Sequence, residues 1–219
     1  MATVPRTRLS PEARRTQLVE LGLQMLSTRS LDNLVIEDIA AAAGISRGLL
    51  FHYFPSKREY REAVVRAAAA DLLDHVAPDP TLPLAEQLRS AVTAFVDYVT
   101  ANRDSYVALV RGASGGDPGL RAVFDETRSV IVTRVVDHLA LLSGAMPPRR
   151  VRLAIRGWVA FAEEVVLDWL ALQPVDTSDD AEAAPADVDA PDLDRDGIVE
   201  MLDGALLALV ASAAASTRP

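Results

Sequence analysis

The segment IEDIAAAAGISRGLLFHYFPSKREYR, residues 36–61, constrains the fold of this chain more than any other part of its sequence. Apolar residues recur at helical spacing from Ile36 to Ala43 and predict a first helix. Gly44 follows where a helix needs a left-handed residue to end, and Ser46 can cap a second helix by accepting a backbone N–H. The segment therefore predicts two short helices joined by a glycine turn, which must pack on their neighbours because helices this short are unstable alone.

Two further signals bound the second helix and start a third. The second helix is predicted from Arg47 to Tyr53, and Pro55 ends it because the residue before a proline avoids helical dihedral angles. Ser56 and Glu59 then form an S-x-x-E capping box at the start of the third helix. The predicted order is helix, glycine turn, helix and a capped third helix.

The second helix is predicted to carry a basic and aromatic surface. An arginine can bind guanine edges and an aromatic ring can contact a thymine methyl group, whereas tyrosine and lysine can hold phosphates. Gly48 lets a backbone approach closely because it has no side chain. These properties predict a surface that enters the major groove of DNA. A helical hairpin whose aromatic residues belong to the core is the alternative, since helix-turn-helix shapes occur outside DNA binding.

The segment resembles the DNA-binding motif of the TetR family of transcriptional regulators, and the resemblance extends to the preceding helix. The residues in register are Glu37-Asp38-Ile39-Ala40, Ala43-Gly44-Ile45-Ser46, Arg47-Gly48, Phe54 and Ser56-Lys57. The chain departs from the family pattern at Val35, Phe51 and Tyr60, where a capping Thr, a Tyr and a Leu are common. The resemblance implies an all-α fold with a three-helix DNA-binding domain, residues 1–60, and a larger helical domain for ligand binding and dimerisation, residues 61–219.

The resemblance also implies which residues contact DNA. Its recognition-helix positions fall on Arg47, Gly48, Phe51 and His52, and its phosphate-contacting positions fall on Tyr53 and Lys57. Lys57 is the only lysine in the chain, which supports its assignment at this position. The predicted DNA-binding residues are Ser46, Arg47, Gly48, Phe51, His52, Tyr53 and Lys57.

The charge of the chain is unevenly distributed. Its net charge is −9, yet residues 1–66 hold ten basic and seven acidic residues, whereas residues 67–219 hold 12 basic and 24 acidic ones. Attraction to phosphate depends on the local patch, because charges beyond about 8–10 Å are screened at physiological salt. A net +3 at the predicted DNA-binding end is therefore compatible with an acidic chain.

Composition narrows the class of protein further. The chain has no cysteine, which excludes disulfides, thiol catalysis and cysteine-based zinc sites. The basic first residues lack the apolar region of a signal peptide, and the longest apolar run, around Ala205–Ala211, is shorter than a membrane span. We expect a soluble cytoplasmic protein with no membrane partner, no cofactor and no metal.

Helical periodicity and breakers predict the rest of the fold. A helix starts at Ser10 and Pro11, and later helices are predicted at about 57–76, 84–102, 103–111, 117–142, 149–172 and 196–214. The intervening segment 174–197 holds nine acidic residues and few apolar ones, which predicts a mobile loop. No strand series is evident, so the predicted fold class is all-α.

The helices 149–172 and 196–214 each carry a heptad-like apolar stripe. Such a stripe fits a four-helix bundle made by two subunits, as the resemblance implies, and it equally fits a core within one chain. The predicted dimer-interface residues are Val151, Ile155, Trp158, Ala162, Val165, Trp169, Ile198, Leu202, Ala205 and Leu209.

The resemblance further implies a small-molecule site among the middle helices. Aromatic walls with a few polar groups are typical of such pockets, although each candidate also fits a purely structural role. The candidate ligand-binding residues are Phe95, Tyr98, Tyr106, Arg111, Phe124, Arg128, Trp158 and Glu163.

One motif suggests catalysis. Gly112–Gly116 matches G-x-S-x-G, the nucleophile elbow of hydrolases, with Ser114 as the nucleophile. That elbow requires a preceding strand, and the sequence before it predicts a helix.

The preferred hypothesis is a homodimeric repressor that binds a pseudo-palindromic operator and is released by a small hydrophobic effector. The alternatives are an activator, a regulator controlled by a protein partner, and, more remotely, an all-helical hydrolase.

Overall fold

The computed structural model describes residues 9–26, 31–173 and 194–215, and within these ranges the regular structure is entirely helical. A short 3-10 turn lies at Leu31–Asn33. The α-helices are α1 (Pro11–Leu26), α2 (Ile36–Ala42), α3 (Arg47–Tyr53), α4 (Lys57–His75), α5 (Leu84–Ala101), α6 (Arg103–Ser114), α7 (Pro118–Ser143), α8 (Arg149–Leu172) and α9 (Arg195–Ala215). The all-α prediction is confirmed.

Most helix ends lie within a residue or two of the predicted positions, and α6 is the exception. It continues to Ser114, whereas the sequence predicts its end near Arg111 and a loop from Gly112. A single glycine inside a helix costs only about 1 kcal/mol, so Gly112 does not end it. The chain leaves the helix before Gly116, whose φ of 86° is the left-handed conformation that a glycine adopts without strain.

The chain forms two compact units. The first comprises the residues up to Asp71 together with Asn102–Thr127, and the second comprises Leu72–Ala101 and the residues from Arg128 onward. In the first unit, α1 contacts α2 and α6, and α2 contacts α3. The predicted functional division at residue 60 remains a prediction, because a compact unit is defined by packing and a functional domain by what it binds.

Tyr60, one of the departures from the family pattern, lies at the centre of the first unit. Its side chain is fully buried, and its ring packs edge-to-face on Phe54 with 5.0 Å between centroids. Its hydroxyl donates a 2.7 Å hydrogen bond to the Leu18 carbonyl, and burial raises its pKa. A Cβ at Gly22 would lie 2.6 Å from that hydroxyl and 2.5 Å from Val64 Cγ2. Gly22 therefore provides the space on α1 that Tyr60 occupies.

In the second unit, α8 packs along α9, and α5 contacts both. The α8 stripe faces this intrachain packing, and the Trp158 indole N–H donates a 2.9 Å hydrogen bond to the Leu202 carbonyl. Seven of the ten predicted interface residues are buried within the single chain: Val151, Ile155, Trp158, Ala162, Trp169, Ile198 and Leu202. These seven residues therefore pack within the chain, and contact of any of the ten with a second copy stays a prediction. Val165 and Ala205 are half-buried, and Leu209 is exposed.

Arginine side chains form polar contacts at both ends of α9. Arg195 forms a two-pronged ion pair with Asp97 of α5, at 2.5 and 2.7 Å, and Arg150 donates to the Ala213 and Ala214 carbonyls. Of the predicted acidic loop 174–197, residues 174–193 lie outside the described residues. Its last three residues, 195–197, belong to α9. They are helical because Asp194 Oδ1 accepts the Gly197 N–H and so supports the first turn.

Among the described residues, α9 is long and apolar enough to cross a membrane on length and composition alone. Only 22% of its apolar window is buried in the protein. Ile198, Val199, Leu202 and Leu206 are buried, whereas Met201, Leu207 and Leu209 are exposed. Several apolar side chains of α9 are therefore not covered by the described residues.

Candidate nucleic-acid interface

The turn between α2 and α3 has the predicted geometry. Gly44 adopts a φ of 65°, and the Ile45 N–H bonds to the Ala40 carbonyl at 2.9 Å, which closes the end of α2. Ser46 caps α3, because its Oγ accepts the Leu49 N–H at 3.2 Å. These local bonds fix where α3 begins after α2.

Helix α3 presents most of its side chains outward. Its only buried residue is Leu50, which joins the core of the first unit, while Phe51 and Tyr53 are half-buried against that core. The predicted DNA-binding residues that stand exposed are Ser46, Arg47, Gly48, His52 and Lys57. The prediction of outward-facing aromatics therefore holds in full for the His52 ring and only partly for Phe51 and Tyr53.

Among the described residues, no neighbour requires a glycine at position 48. A Cβ built there would meet only Ser46 Oγ, at 3.9 Å, and the backbone φ is not left-handed. A glycine in a helix interior costs about 1 kcal/mol relative to alanine. An exposed glycine that the fold does not need is consistent with the close approach of another molecule at this point.

The first residue of α3 forms an ion pair that the sequence pattern does not predict. Arg47 Nη1 lies 2.9 Å from Glu37 Oε1 of α2, and its guanidinium lies over the Phe51 ring, 5.5 Å from the centroid. Beside it, the His52 and Tyr53 rings meet edge-to-face at 5.6 Å. The positions of Glu37 and Arg47 on either side of a tight turn were only a partial signal, because the contact also depends on the rotamers of both side chains.

Lys57 is exposed at the first position of α4. One of the two bonds of the predicted capping box forms beside it, because the Glu59 N–H donates to Ser56 Oγ at 3.1 Å. The Ser56 hydroxyl also donates to the Glu59 carboxylate at 3.2 Å. The cap orders the first turn of α4, where free backbone N–H groups and a lysine together favour a phosphate.

The candidate ligand-binding residues fall in both units. Phe95, Tyr98, Arg128, Trp158 and Glu163 belong to the second unit, and Tyr106, Arg111 and Phe124 belong to the first. The side chain of Arg111 lies outside the described residues. The buried Tyr98 ring lies 5.0 Å from His75, and Tyr106 is also buried. Contact of these eight residues with an effector stays a prediction.

Two of the eight candidate ligand-binding residues, Arg128 and Glu163, form an ion pair between α7 and α8. Arg128 Nε lies 3.1 Å from Glu163 Oε2, and the two side chains are 30% and 14% exposed. Burial raises the pKa of Glu163 to about 7, and the Arg128 charge only partly opposes this effect. Glu163 therefore holds a proton to a higher pH than an exposed glutamate does.

The hydrolase motif lacks its required setting. Ser114 is the last residue of α6, and the described parts of the chain contain no strand before it. A nucleophile elbow holds its serine on a sharp strand-to-helix turn, so the match to G-x-S-x-G is a coincidence of composition. The Ser114 side chain itself is outside the described residues.

Comparison with known proteins identifies the family. Residues 18–64 match the family model described as "Bacterial regulatory proteins, tetR family", and residues 84–186 match "Tetracyclin repressor-like, C-terminal domain". The chain belongs to the TetR family of transcriptional regulators. The first match covers the helices that carry the exposed basic and aromatic surface. The TetR assignment therefore makes this chain a DNA-binding transcriptional regulator and not an enzyme.

Individual relatives agree with the TetR assignment. The crystal structure of a tetR-family regulator from Streptomyces coelicolor is 31% identical, with a TM-score of 0.75 over 95% of this chain and 85% of that one. FasR of Mycolicibacterium smegmatis, a transcriptional activator, is 27% identical over 165 residues, 74% of this chain and 75% of the relative. KstR2 of the same organism, a repressor, is 40% identical over 70 residues, about a third of either chain.

Proposed function

We propose that this TetR-family chain is a homodimeric repressor whose α3 enters the major groove of a pseudo-palindromic operator. The carrying observation is the exposed set of Arg47, Gly48 and His52 on a helix that buries only Leu50. Arginine can bind a guanine edge in two places, and an exposed ring can contact a thymine methyl group. Lys57 at the start of α4 would hold a phosphate and fix the register. The protein would act in the bacterial cytoplasm, where the operator lies.

Two substitutions test the assignment of these roles. His52→Ala should reduce the preference among operator sequences, because it removes a group facing the bases. Lys57→Ala should weaken binding to all duplexes alike and lower the salt dependence, because it removes a phosphate contact. The probes are genomic fragments recovered by the purified wild-type protein and a mixed-sequence duplex, compared in titrations at several salt concentrations.

Arg149→Ala is the matched control, since it removes one exposed positive charge at the start of α8. It should leave both titrations close to wild type. Equal binding by wild type, His52→Ala and Lys57→Ala would refute the assignment of this surface.

Pairing of two chains is supported by the uncovered face of α8 and α9. Leu153, Phe161 and Leu207 are 68%, 40% and 58% exposed, so the described residues leave an apolar surface here that a second copy could cover. A Cβ at Gly157 of α8 or Gly204 of α9 would meet nothing within 4 Å. Two helix-interior glycines with no close neighbour among the described residues would allow helices of a second copy to approach closely. Of the predicted interface residues, Val165, Ala205 and Leu209 retain surface for this contact.

Two-fold pairing would give the repressor two recognition helices about one DNA turn apart, roughly 34–36 Å. Leu207→Glu should therefore shift sedimentation to the monomer and weaken binding to recovered genomic fragments. Leu9→Glu is the control for sedimentation, because Leu9 is also exposed but precedes α1. A Leu207→Glu protein that sediments as a dimer would place the interface elsewhere.

Release by a small hydrophobic effector is the proposed mode of control. An effector changes DNA affinity only if it binds the DNA-incompatible state more tightly. The buried aromatics Tyr98 and Trp158, with the Arg128–Glu163 pair, are the groups we propose for an apolar molecule with one polar end. FasR is a transcriptional activator, which favours activation of transcription as a second candidate function. A reporter gene behind the recovered operator distinguishes the two, because a repressor lowers its expression and an activator raises it. Control by a protein partner remains the alternative to a small effector.

A further inference from the structure

Glu37 and Arg47 form an ion pair across the turn that joins α2 to α3. The atoms Oε1 and Nη1 are 2.9 Å apart, and the two side chains remain 55% and 64% exposed. The guanidinium is also held over the Phe51 ring at 5.5 Å. A carboxylate thus touches the first residue of the helix that we propose to enter the groove.

This contact has opposite consequences for the two kinds of DNA complex. In a sequence-independent complex, affinity comes from cations placed beside phosphates, and a carboxylate beside Arg47 offsets its charge and repels the backbone. In a specific complex, a guanidinium acts through the direction of its five N–H donors. One carboxylate occupies only part of that fork and leaves donors for a base edge.

We propose that Glu37 is a specificity determinant of this regulator that acts through Arg47, by suppressing sequence-independent attraction to phosphate. The inference rests on the proposed DNA-binding function, and it adds a residue outside the predicted DNA-binding set. Because both partners are exposed, the pair is worth at most roughly a fivefold change in an equilibrium constant. The effect is therefore a tuning of nonspecific affinity and not a condition for folding.

The test is a double-mutant cycle on a mixed-sequence duplex. Glu37→Gln keeps the shape of the side chain and removes its charge. It should tighten nonspecific binding roughly three- to fivefold. The slope of log affinity against log salt should steepen by about one phosphate contact, roughly 0.9. In a protein that already carries Arg47→Gln, Glu37→Gln should change the nonspecific affinity and its salt dependence no more than the loss of a carboxylate far from Arg47 does.

Glu86→Gln supplies that reference, because Glu86 is exposed in the first turn of α5 and its loss changes the net charge equally. Affinity for genomic fragments recovered by the wild-type protein measures specific binding. Glu37→Gln should lower the ratio of this specific affinity to the nonspecific affinity. Thermal unfolding of each variant checks that the fold is unchanged.

Two results would overturn the inference while leaving DNA binding intact. One is a Glu37→Gln protein that binds the mixed duplex no more tightly than Glu86→Gln. The other is an effect that persists in the Arg47→Gln background, since Glu37 would then act without Arg47. A wild-type protein that binds no duplex even at low salt would instead refute the proposed function, and this inference with it.

Discussion

Gly22→Ala tests how closely α1 and α4 pack in the first unit. The added Cβ would lie 2.5 Å from Val64 Cγ2 and 2.6 Å from the Tyr60 hydroxyl, and both side chains are fully buried. Overpacking of this kind costs about 1–3 kcal/mol. Displacing the Tyr60 hydroxyl from the Leu18 carbonyl, now 2.7 Å away, adds about 1 kcal/mol.

The substitution also removes a glycine from a helix interior, which stabilises the helix by about 1 kcal/mol. The clash exceeds this gain, because a rigid ring and a packed valine cannot move aside without opening the core. We expect a net loss of about 2 kcal/mol, or a fall of roughly 4–8 °C in Tm. Thermal unfolding at one fixed protein concentration measures it, since pairing of chains would make Tm depend on concentration.

Gly48→Ala is the control, because its Cβ meets no atom closer than 3.9 Å and its helix should gain or keep stability. Adding Tyr60→Phe to Gly22→Ala should recover part of the loss, since it removes the hydroxyl nearest the new methyl group. A Gly22→Ala protein that melts at or above the wild-type temperature would show that the space beside Tyr60 accepts a methyl group, and would refute the expected clash.

Three further predictions concern single contacts. Burial raises the pKa of Glu163 from 4.5 to about 7, so the folded protein binds an extra proton between those values. Its stability should therefore fall as pH rises through 7, and relative to Glu163→Gln the unfolding free energy should drop by at most about 3 kcal/mol between pH 4.5 and 8. Arg61→Ala removes both donors, at 3.0 and 2.8 Å, from the Leu31 carbonyl and should cost about 1–3 kcal/mol in denaturant unfolding. Ser56→Ala removes the cap from the Glu59 N–H and should cost about 1 kcal/mol, with Ser56→Thr retaining most of it.

Local signals account for what the sequence could predict. The left-handed Gly44, the Ser46 cap and the Ser56 cap each depend on residues within one turn, so the bounds of α3 and the start of α4 follow from the pattern. Helix α8 likewise runs from Arg149 to Leu172, where the periodicity predicted it. The exposed surface of α3 follows in turn, because a helix this short has one side to bury.

Contacts between distant segments could not be predicted in the same way. Periodicity shows that α8 has an apolar stripe, but the same stripe fits a neighbour in the chain or in another copy, and residues such as Ile155 and Leu202 proved to be buried within the chain. The match between Gly22 and Tyr60 depends on how α1 meets α4 in space. The Glu37–Arg47 pair depends on rotamers that the turn brings together.

The uncovered face of α9 has a practical consequence for anyone who titrates this regulator with DNA. If a second copy covers Leu207 and its neighbours, the active species is formed by mass action, and dilution to the low concentrations used in binding assays will deplete it. Titration curves would then become steeper than a simple hyperbola, and the midpoint would report chain association as well as DNA affinity. Measurements at several total protein concentrations separate the two equilibria.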